Sequence, residues 1–211
     1  MTEPGVTLTD YGLALECAIF AGLLYTRGRG AAGLCTWAVA FFASAALASL
    51  FGGTVHGFFL GESSLGNAVL WPLSLLAIGV MALSGWAIAA ILVLTPSAAR
   101  WVIRGAALQL AAYAAVVLLV SDGFWVAISD YLPAALFLLA AFAIRARRLG
   151  RLRRSAGAWG LVVSFVAAAI QQLQISVHPV YFDHNALYHA VQAVGLVLIF
   201  LGFRDLLGAG A

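Results

Sequence analysis

Seven apolar stretches follow one another along the chain, and short polar segments separate them. An apolar stretch of about 20 residues is long enough to cross the hydrocarbon core of a bilayer as a helix. Inside that core every backbone polar group must be hydrogen-bonded within the protein, so each stretch is expected to be helical. The pattern therefore predicts an all-α fold, a single seven-helix transmembrane bundle over residues 1–211. The predicted spans cover approximately residues 11–25, 31–59, 67–94, 101–120, 124–144, 156–177 and 183–203.

The first stretch is preceded by a short polar segment, in which Thr9 or Asp10 is expected to cap the helix. Arg27 and Arg29 follow this stretch, and no basic residue comes before it. A secretory signal peptide has the opposite order of charge and apolar residues. We therefore interpret the stretch as a true first span.

Arginine is the basic residue at all 11 Lys or Arg positions of the chain. The arginines follow spans one, three, five and seven, or begin span four, so an alternating bundle places them all on one face. Short loops rich in arginine remain on the cytoplasmic side of a membrane. The sequence thus predicts an outside N-terminus, a cytoplasmic C-terminus and a multi-pass protein of the plasma (inner) membrane.

The composition excludes several classes of protein. Hydrophobic residues make up 64% of the chain and charged residues only 9%, which is typical of an integral membrane protein. Without a lysine the chain cannot form a retinal Schiff base, and arginines confined to loops do not indicate nucleic-acid binding. Cys17 and Cys35 fall at different depths in neighbouring spans, so no disulfide is expected between them.

Polar side chains mark the outer ends of several spans. Asn185, His189 and Gln192 have the spacing i, i+4, i+7, which places them on one face of the last span. His56 lies at matching depth near the end of span two. Polar groups are costly inside a membrane and usually serve a function. We therefore predict a single polar cavity that opens to the outer face, although a structural hydrogen bond between the two histidines is an alternative.

Further polar residues fall in the same outer half of the membrane. Asn67 begins span three, and Asp130 lies just inside span five. Together with Asn185 and Gln192, they are predicted to line the cavity. Glu16 lies in the outer half of span one, and a buried carboxylate such as Glu16 or Asp130 requires a partner or a proton.

The positions of the histidines resemble those of the CREST superfamily, which comprises alkaline ceramidases and adiponectin/progestin-type receptors. Members carry Ser-x-x-x-His at the end of helix two, an aspartate near the start of helix three and His-x-x-x-His at the start of helix seven. His56 matches the first histidine, and Asn185-Ala-Leu-Tyr-His189 matches the pair with one member replaced. The resemblance implies a zinc ion held by three histidines and a metal-bound water that cleaves a lipid amide.

This chain departs from the family pattern at three positions. Gly52 replaces the serine, Asn67 takes the approximate place of the aspartate, and Asn185 replaces a zinc ligand. A catalytic zinc usually has three protein ligands, and the adjacent His184 is the candidate for the third. His184 and His189 are i, i+5, about 140° apart on an ideal helix, so His184 would have to lie outside regular helix.

Two functional interpretations follow from this pattern. In the first, His56, His184 and His189 bind zinc, Asp183 or Glu16 is the general base, and the protein hydrolyses a lipid-like amide or ester. In the second, the same cavity binds a lipid or small amphiphile without catalysis, as the asparagine replacements favour. A haem held between the histidines of the second and last spans is a third alternative.

Overall fold

The computed structural model describes residues 1–27, 32–61, 64–150, 155–178 and 181–208. These residues form seven α-helices and no β-strand, and an isolated antiparallel bridge joins His178 to Phe182. The prediction of an all-α seven-helix fold is confirmed. The helices are α1 (Pro4–Arg27), α2 (Ala32–Phe58), α3 (Leu65–Val93), α4 (Pro96–Leu119), α5 (Phe124–Arg148), α6 (Ala156–Gln172) and α7 (His184–Gly208).

Six of the seven helices are long and apolar enough to cross a membrane. Their lengths of 23–29 residues over the apolar region exceed the roughly 20 residues that a bilayer requires. The remaining helix, α6, has 17 residues and ends at Gln172, before the predicted end at residue 177. Six helices are thus suited by length and composition to span a membrane, and α6 packs mainly against α7.

The start of α1 differs most from the prediction. The helix begins at Pro4, which precedes both expected caps, Thr9 and Asp10. Proline is favourable at the first position of a helix because its fixed φ suits the helix and its missing N–H is not needed there. The predicted cap was therefore wrong, and Asp10 lies inside the helix with only 5% of its surface exposed.

The helices pack in a defined order. α1 contacts α2 and α7, α2 contacts α3, and α3 also packs against α4 and α5, while α6 lies mainly on α7. The ring of Phe203 contacts those of Phe41, Phe42 and Phe142, with centroids 5.6–5.9 Å apart. This aromatic core occupies the half of the bundle that is remote from the start of α1. The half of the bundle near the start of α1 lies outside this aromatic core.

Glycines allow α6 and α7 to pack backbone to backbone. A Cβ atom on Gly160 would lie 2.6 Å from the carbonyl oxygen of Gly195, and one on Gly202 would lie 2.6 Å from the Cα of Gly157. Small residues are the usual means by which membrane helices approach closely. Both cysteines are free and buried, as predicted, and the thiol of Cys35 donates to the carbonyl of Leu24 at 3.4 Å.

Candidate ligand cavity

A cavity of about 400 Å³ penetrates the half of the bundle in which α1 begins. Residues of α1, α2, α3, α5, α6 and α7 line it, and the described part of α4 contributes none. Small-molecule sites commonly enclose about 300–1,000 Å³ and have mostly apolar walls with a few polar groups. The volume and position therefore suit a ligand that enters from the end of the bundle or from the membrane.

The ionisable and amide side chains of the lining are concentrated at one level. They lie within about two turns of the helix ends on the side where α1 begins, a level that also includes Phe124 and Ile128, whereas the lining one to two turns deeper is mostly apolar. The main polar lining residues are Asp10, His56, Gln171, Gln172, Asn185, His189 and Gln192. The deeper apolar ones include Leu13, Met81, Leu132, Leu161, Phe165 and Leu196. The ionisable and amide groups are thus gathered at one end of the cavity, and the other end is mostly apolar.

His189 is held at both ring nitrogens by α1. Its Nδ1 lies 3.0 Å from the hydroxyl oxygen of Thr9, and its Nε2 lies 3.4 Å from Oδ1 of Asp10. The Thr9 hydroxyl donates to the backbone carbonyl of Gly5 at 2.9 Å, and the donor in its contact with Nδ1 depends on the tautomer of the imidazole. Nε2 faces the carboxyl group of Asp10.

The carboxyl group of Asp10 fits between α1 and α2 because glycines leave it room. A Cβ atom on Gly53 would lie only 2.7 Å from the Cβ of Asp10, and one on Gly52 would lie 3.8 Å from Oδ2. Within the described chain, His189 is the only ion-pair partner of this carboxylate, no hydrogen-bond donor is found for Oδ2, and Tyr188 interacts electrostatically with the carboxylate. Asp10 therefore presents an accessible acceptor at the cavity wall.

His56 is fastened to the N-terminal segment. Its Nδ1 lies 2.6 Å from Oε2 of Glu3, and the backbone N–H groups of Thr2 and Glu3 donate to the carbonyls of Gly57 and His56 at 3.0 and 3.3 Å. The imidazole also meets the indole of Trp71 edge-on, with ring centroids 6.3 Å apart. These contacts hold the imidazole at the mouth of the cavity.

The structure brings four of the residues singled out from the sequence into the same cavity. His56, Asn185, His189 and Gln192 all line it. The stripe along the last span thus faces protein, and the amide of Gln171 donates to Oδ1 of Asn185 at 3.3 Å. The two histidines share the cavity without a direct hydrogen bond between them in the described structure.

Two other predicted site residues instead stabilise helix starts. Oδ1 of Asp183 accepts from the backbone N–H of Ala186 at 2.9 Å, which is the contact of a helix N-cap. The amide of Asn67 donates to the carbonyl of Phe59 at 3.0 Å and so fixes the loop before α3. Neither side chain lines the cavity, so the base assigned to Asp183 and the pocket role assigned to Asn67 are not supported by their positions.

The remaining candidates also lie outside the cavity lining. Asp130 faces α4, where the amide of Gln109 donates to its Oδ1 at 2.7 Å. Glu16 is partly exposed on α1 and is absent from the lining. His184 is the first residue of α7 and therefore lies in regular helix, at an angle to His189 that prevents both imidazoles from facing one point.

The zinc site implied by the resemblance requires three ligands around one point. Among the residues that the structure describes, no group of three His, Cys, Asp or Glu side chains is arranged to hold a metal ion. His184 is absent from the cavity lining that contains the other two histidines, and Asn185, which takes the place of an imidazole, accepts a hydrogen bond from Gln171. The described residues thus do not fit the expected three-histidine set.

Asp10 is the main lining residue that the sequence pattern did not reveal. Its position before the first strongly apolar residues suggested a helix cap. Pro4, which can begin a helix, was the signal that α1 starts earlier and carries Asp10 into the bundle.

Comparison with known proteins gives one assignment. No curated protein and no solved structure matches the chain. A family model described as a family of unknown function, DUF6962, matches residues 6–207. Since this match covers nearly all of the bundle, the chain belongs to the DUF6962 family.

Proposed function

We propose that this protein binds a membrane amphiphile, with the head group at the polar end of the cavity and the hydrocarbon chain in its apolar depth. The observation that carries the proposal is the segregation of the lining, from Asp10 and His189 near the helix ends to Leu161 and Leu196 near the middle. Burial of hydrocarbon in such a space contributes about 0.8 kcal/mol per CH₂. The polar groups then select the head.

The proposed orientation places the cavity in the outer half of the plasma membrane. Arg100, Arg104, Arg145 and Arg204 lie at helix ends on the opposite side of the bundle from the cavity. By the positive-inside tendency this side is cytoplasmic, so the N-terminus is outside. An amphiphile would then enter from the outer leaflet.

The contact between Asp10 and His189 favours a second candidate function, hydrolysis of a lipid-like amide or ester. Asp10 lines the cavity, and one of its oxygens faces a histidine that Thr9 fixes on the other ring nitrogen, so the carboxylate resembles a positioned general base. In this reaction a water oxygen bonds to the carbonyl carbon and the bond to the leaving nitrogen or oxygen breaks. The proton that Asp10 removes from the water passes to the leaving group.

The test of binding uses the full chain purified in a mild detergent. Native mass spectrometry would measure the amphiphile that is retained, in wild type and in Ala168→Phe, whose ring would fill the cavity wall. The matched control is Val166→Phe on the same helix, where the side chain is 51% exposed and outside the lining. We expect loss of the amphiphile in the first variant and retention in the second.

Equal retention by both variants, or no retained amphiphile in wild type, would contradict the binding proposal. The same preparation, incubated with a panel of fluorogenic lipid amides and esters, tests the second candidate. Turnover that Asp10→Asn abolishes would establish hydrolysis, whereas an inactive wild type with a bound amphiphile leaves binding as the function. Elemental analysis of the sample measures whether zinc is present in stoichiometric amount.

A further inference from the structure

The charge of the cavity wall distinguishes between classes of amphiphile. Among the described residues, Asp10 is the only acidic residue of the lining and no arginine belongs to it, and the chain contains no lysine. The side chains of the described lining that can become cationic are His56 and His189. His56 already lies 2.6 Å from the carboxylate of Glu3. The polar end therefore contains no permanent positive charge to bind an anionic head group.

The environment of the Asp10 carboxylate also indicates which head group the cavity would bind. The Asp10 side chain is 8% exposed, and its only ion-pair partner among the described residues, Nε2 of His189, is 3.4 Å from Oδ1. Oδ2 has no donor within the described chain, although it lies at the wall of a cavity large enough for a ligand. A buried carboxylate is costly without hydrogen-bond donors or an opposite charge. An ammonium group supplies both at this point.

The neighbouring groups are compatible with such a head. Ser49, Asn185 and Gln192 belong to the same lining, and each has an oxygen that can accept a hydrogen bond. A carboxylate or phosphate head would instead face Asp10 at low dielectric, where like charges repel strongly. Hydroxyl heads can donate to Asp10 but bring no charge.

We propose that the cavity selects amphiphiles with a protonated amine head over neutral or anionic ones of equal chain length, with the ammonium group against Asp10. This inference rests on the proposed function, because it names the head group of the amphiphile that the cavity binds. The hydrocarbon chain occupies the deeper space beside Leu161 and Phe165.

The experiment is a competition among dodecylamine, dodecanol and dodecanoate, added at equal concentration to the detergent-solubilised full chain. Native mass spectrometry would quantify each bound species. We expect the amine to exceed the carboxylate by about tenfold, equivalent to about 1.4 kcal/mol, with the alcohol between them. In Asp10→Asn the preference for the amine should fall to near unity while dodecanol still binds.

Asp130→Asn is the matched control, since it removes a buried carboxylate on α5 that is absent from the cavity lining. It should preserve the preference for the amine. Equal binding of amine and carboxylate by wild type would overturn the inference, as would an unchanged amine preference in Asp10→Asn. If Asp10→Asn does not fold, the relative binding of amine, alcohol and carboxylate to the wild-type protein tests the inference by itself.

The outcomes also separate this inference from the proposed function. In one outcome, wild type binds dodecanol, Ala168→Phe abolishes that binding, and wild type shows no preference for the amine. That result would refute only the head-group selection. Absence of all three compounds from the wild-type protein would refute the binding function itself.

Discussion

Asp10 and His189 meet across the interface of the first and last helices, with Oδ1 of the carboxylate 3.4 Å from Nε2 of the imidazole. The two residues stand near opposite ends of the chain, and the packing of α1 against α7 brings them together. Because Thr9 holds the other nitrogen of the ring, a single turn of α1 determines how His189 is presented to the cavity. The polar end of the site is therefore built jointly by the two helices.

Replacement of Thr9 by valine should weaken amphiphile binding without unfolding the bundle. The variant loses the hydroxyl that lies 3.0 Å from Nδ1 of His189, so the ring is no longer fixed beside Asp10. A lost buried hydrogen bond costs about 1 kcal/mol, which corresponds to roughly fivefold in Kd. Titration of dodecylamine would measure this change.

Thr9→Ser keeps the hydroxyl group and should restore the affinity. Thr26→Val is the control at the other end of α1, where the hydroxyl donates to the carbonyl of Leu23. If Thr9→Val bound the amine as tightly as Thr26→Val, the threonine would have no part in positioning the imidazole.

The sequence sufficed to predict the helices and one face of the site. The spacing of Asn185, His189 and Gln192 requires no knowledge of tertiary structure, because helix geometry alone aligns them. Membrane helices are long and strongly apolar, so their order along the chain was also clear. Helix ends were less well predicted, as the early start at Pro4 and the early end of α6 at Gln172 show.

The partners of the polar residues were not predictable in the same way. Asp130 and Asn67 lie at a depth similar to that of His189, yet they bind Gln109 and the carbonyl of Phe59. Depth along a span follows from position in the sequence, but the direction of a side chain depends on how each helix is rotated in the bundle. That rotation is determined by packing between helices, such as the contact of Gly53 with Asp10.

Removal of the side-chain contact between the N-terminal segment and α2 should loosen the first turn of α1. Glu3→Ala removes the carboxylate that lies 2.6 Å from Nδ1 of His56. We expect faster amide hydrogen exchange in residues 2–7 and a loss of stability of about 0.5 kcal/mol or less, because partly exposed ion pairs contribute little.

Hydrogen exchange followed by mass spectrometry would measure this effect peptide by peptide. Asp205→Ala provides the comparison, since Asp205 pairs with Arg204 at 3.7 Å on an exposed surface at the other end of the bundle. Unchanged exchange at the start of α1 in Glu3→Ala would show that the backbone contacts to Gly57 and His56 hold the segment without the carboxylate.

An alanine at position 53 should destabilise the protein and displace Asp10. The new Cβ would lie 2.7 Å from the Cβ of Asp10 and 3.2 Å from the ring of Tyr11, so α1 must move away from α2. Overpacking of this kind costs about 1–3 kcal/mol. Thermal unfolding and dodecylamine titration of Gly53→Ala should both show a loss.

The matched control is Gly12→Ala on α1, because nothing lies within 4 Å of the Cβ that it would add. Alanine is the better helix former by about 1 kcal/mol, so this variant should be as stable as wild type or more so. A Gly53→Ala protein with wild-type Tm and affinity would argue against close packing of the two helices beside the carboxylate.

The buried pair of Gln109 and Asp130 should contribute to stability and not to ligand binding. The amide of Gln109 donates to Oδ1 of Asp130 at 2.7 Å between α4 and α5, and neither residue lines the cavity. A double-mutant cycle with Gln109→Leu and Asp130→Leu should give a coupling of about 0.6 kcal/mol, the average for hydrogen bonds between membrane helices, and no more than about 1.7 kcal/mol, the maximum. All three variants should bind dodecylamine with wild-type affinity. Weaker binding in Asp130→Leu at unchanged Tm would instead assign this carboxylate to the ligand site, where the sequence pattern had first placed it.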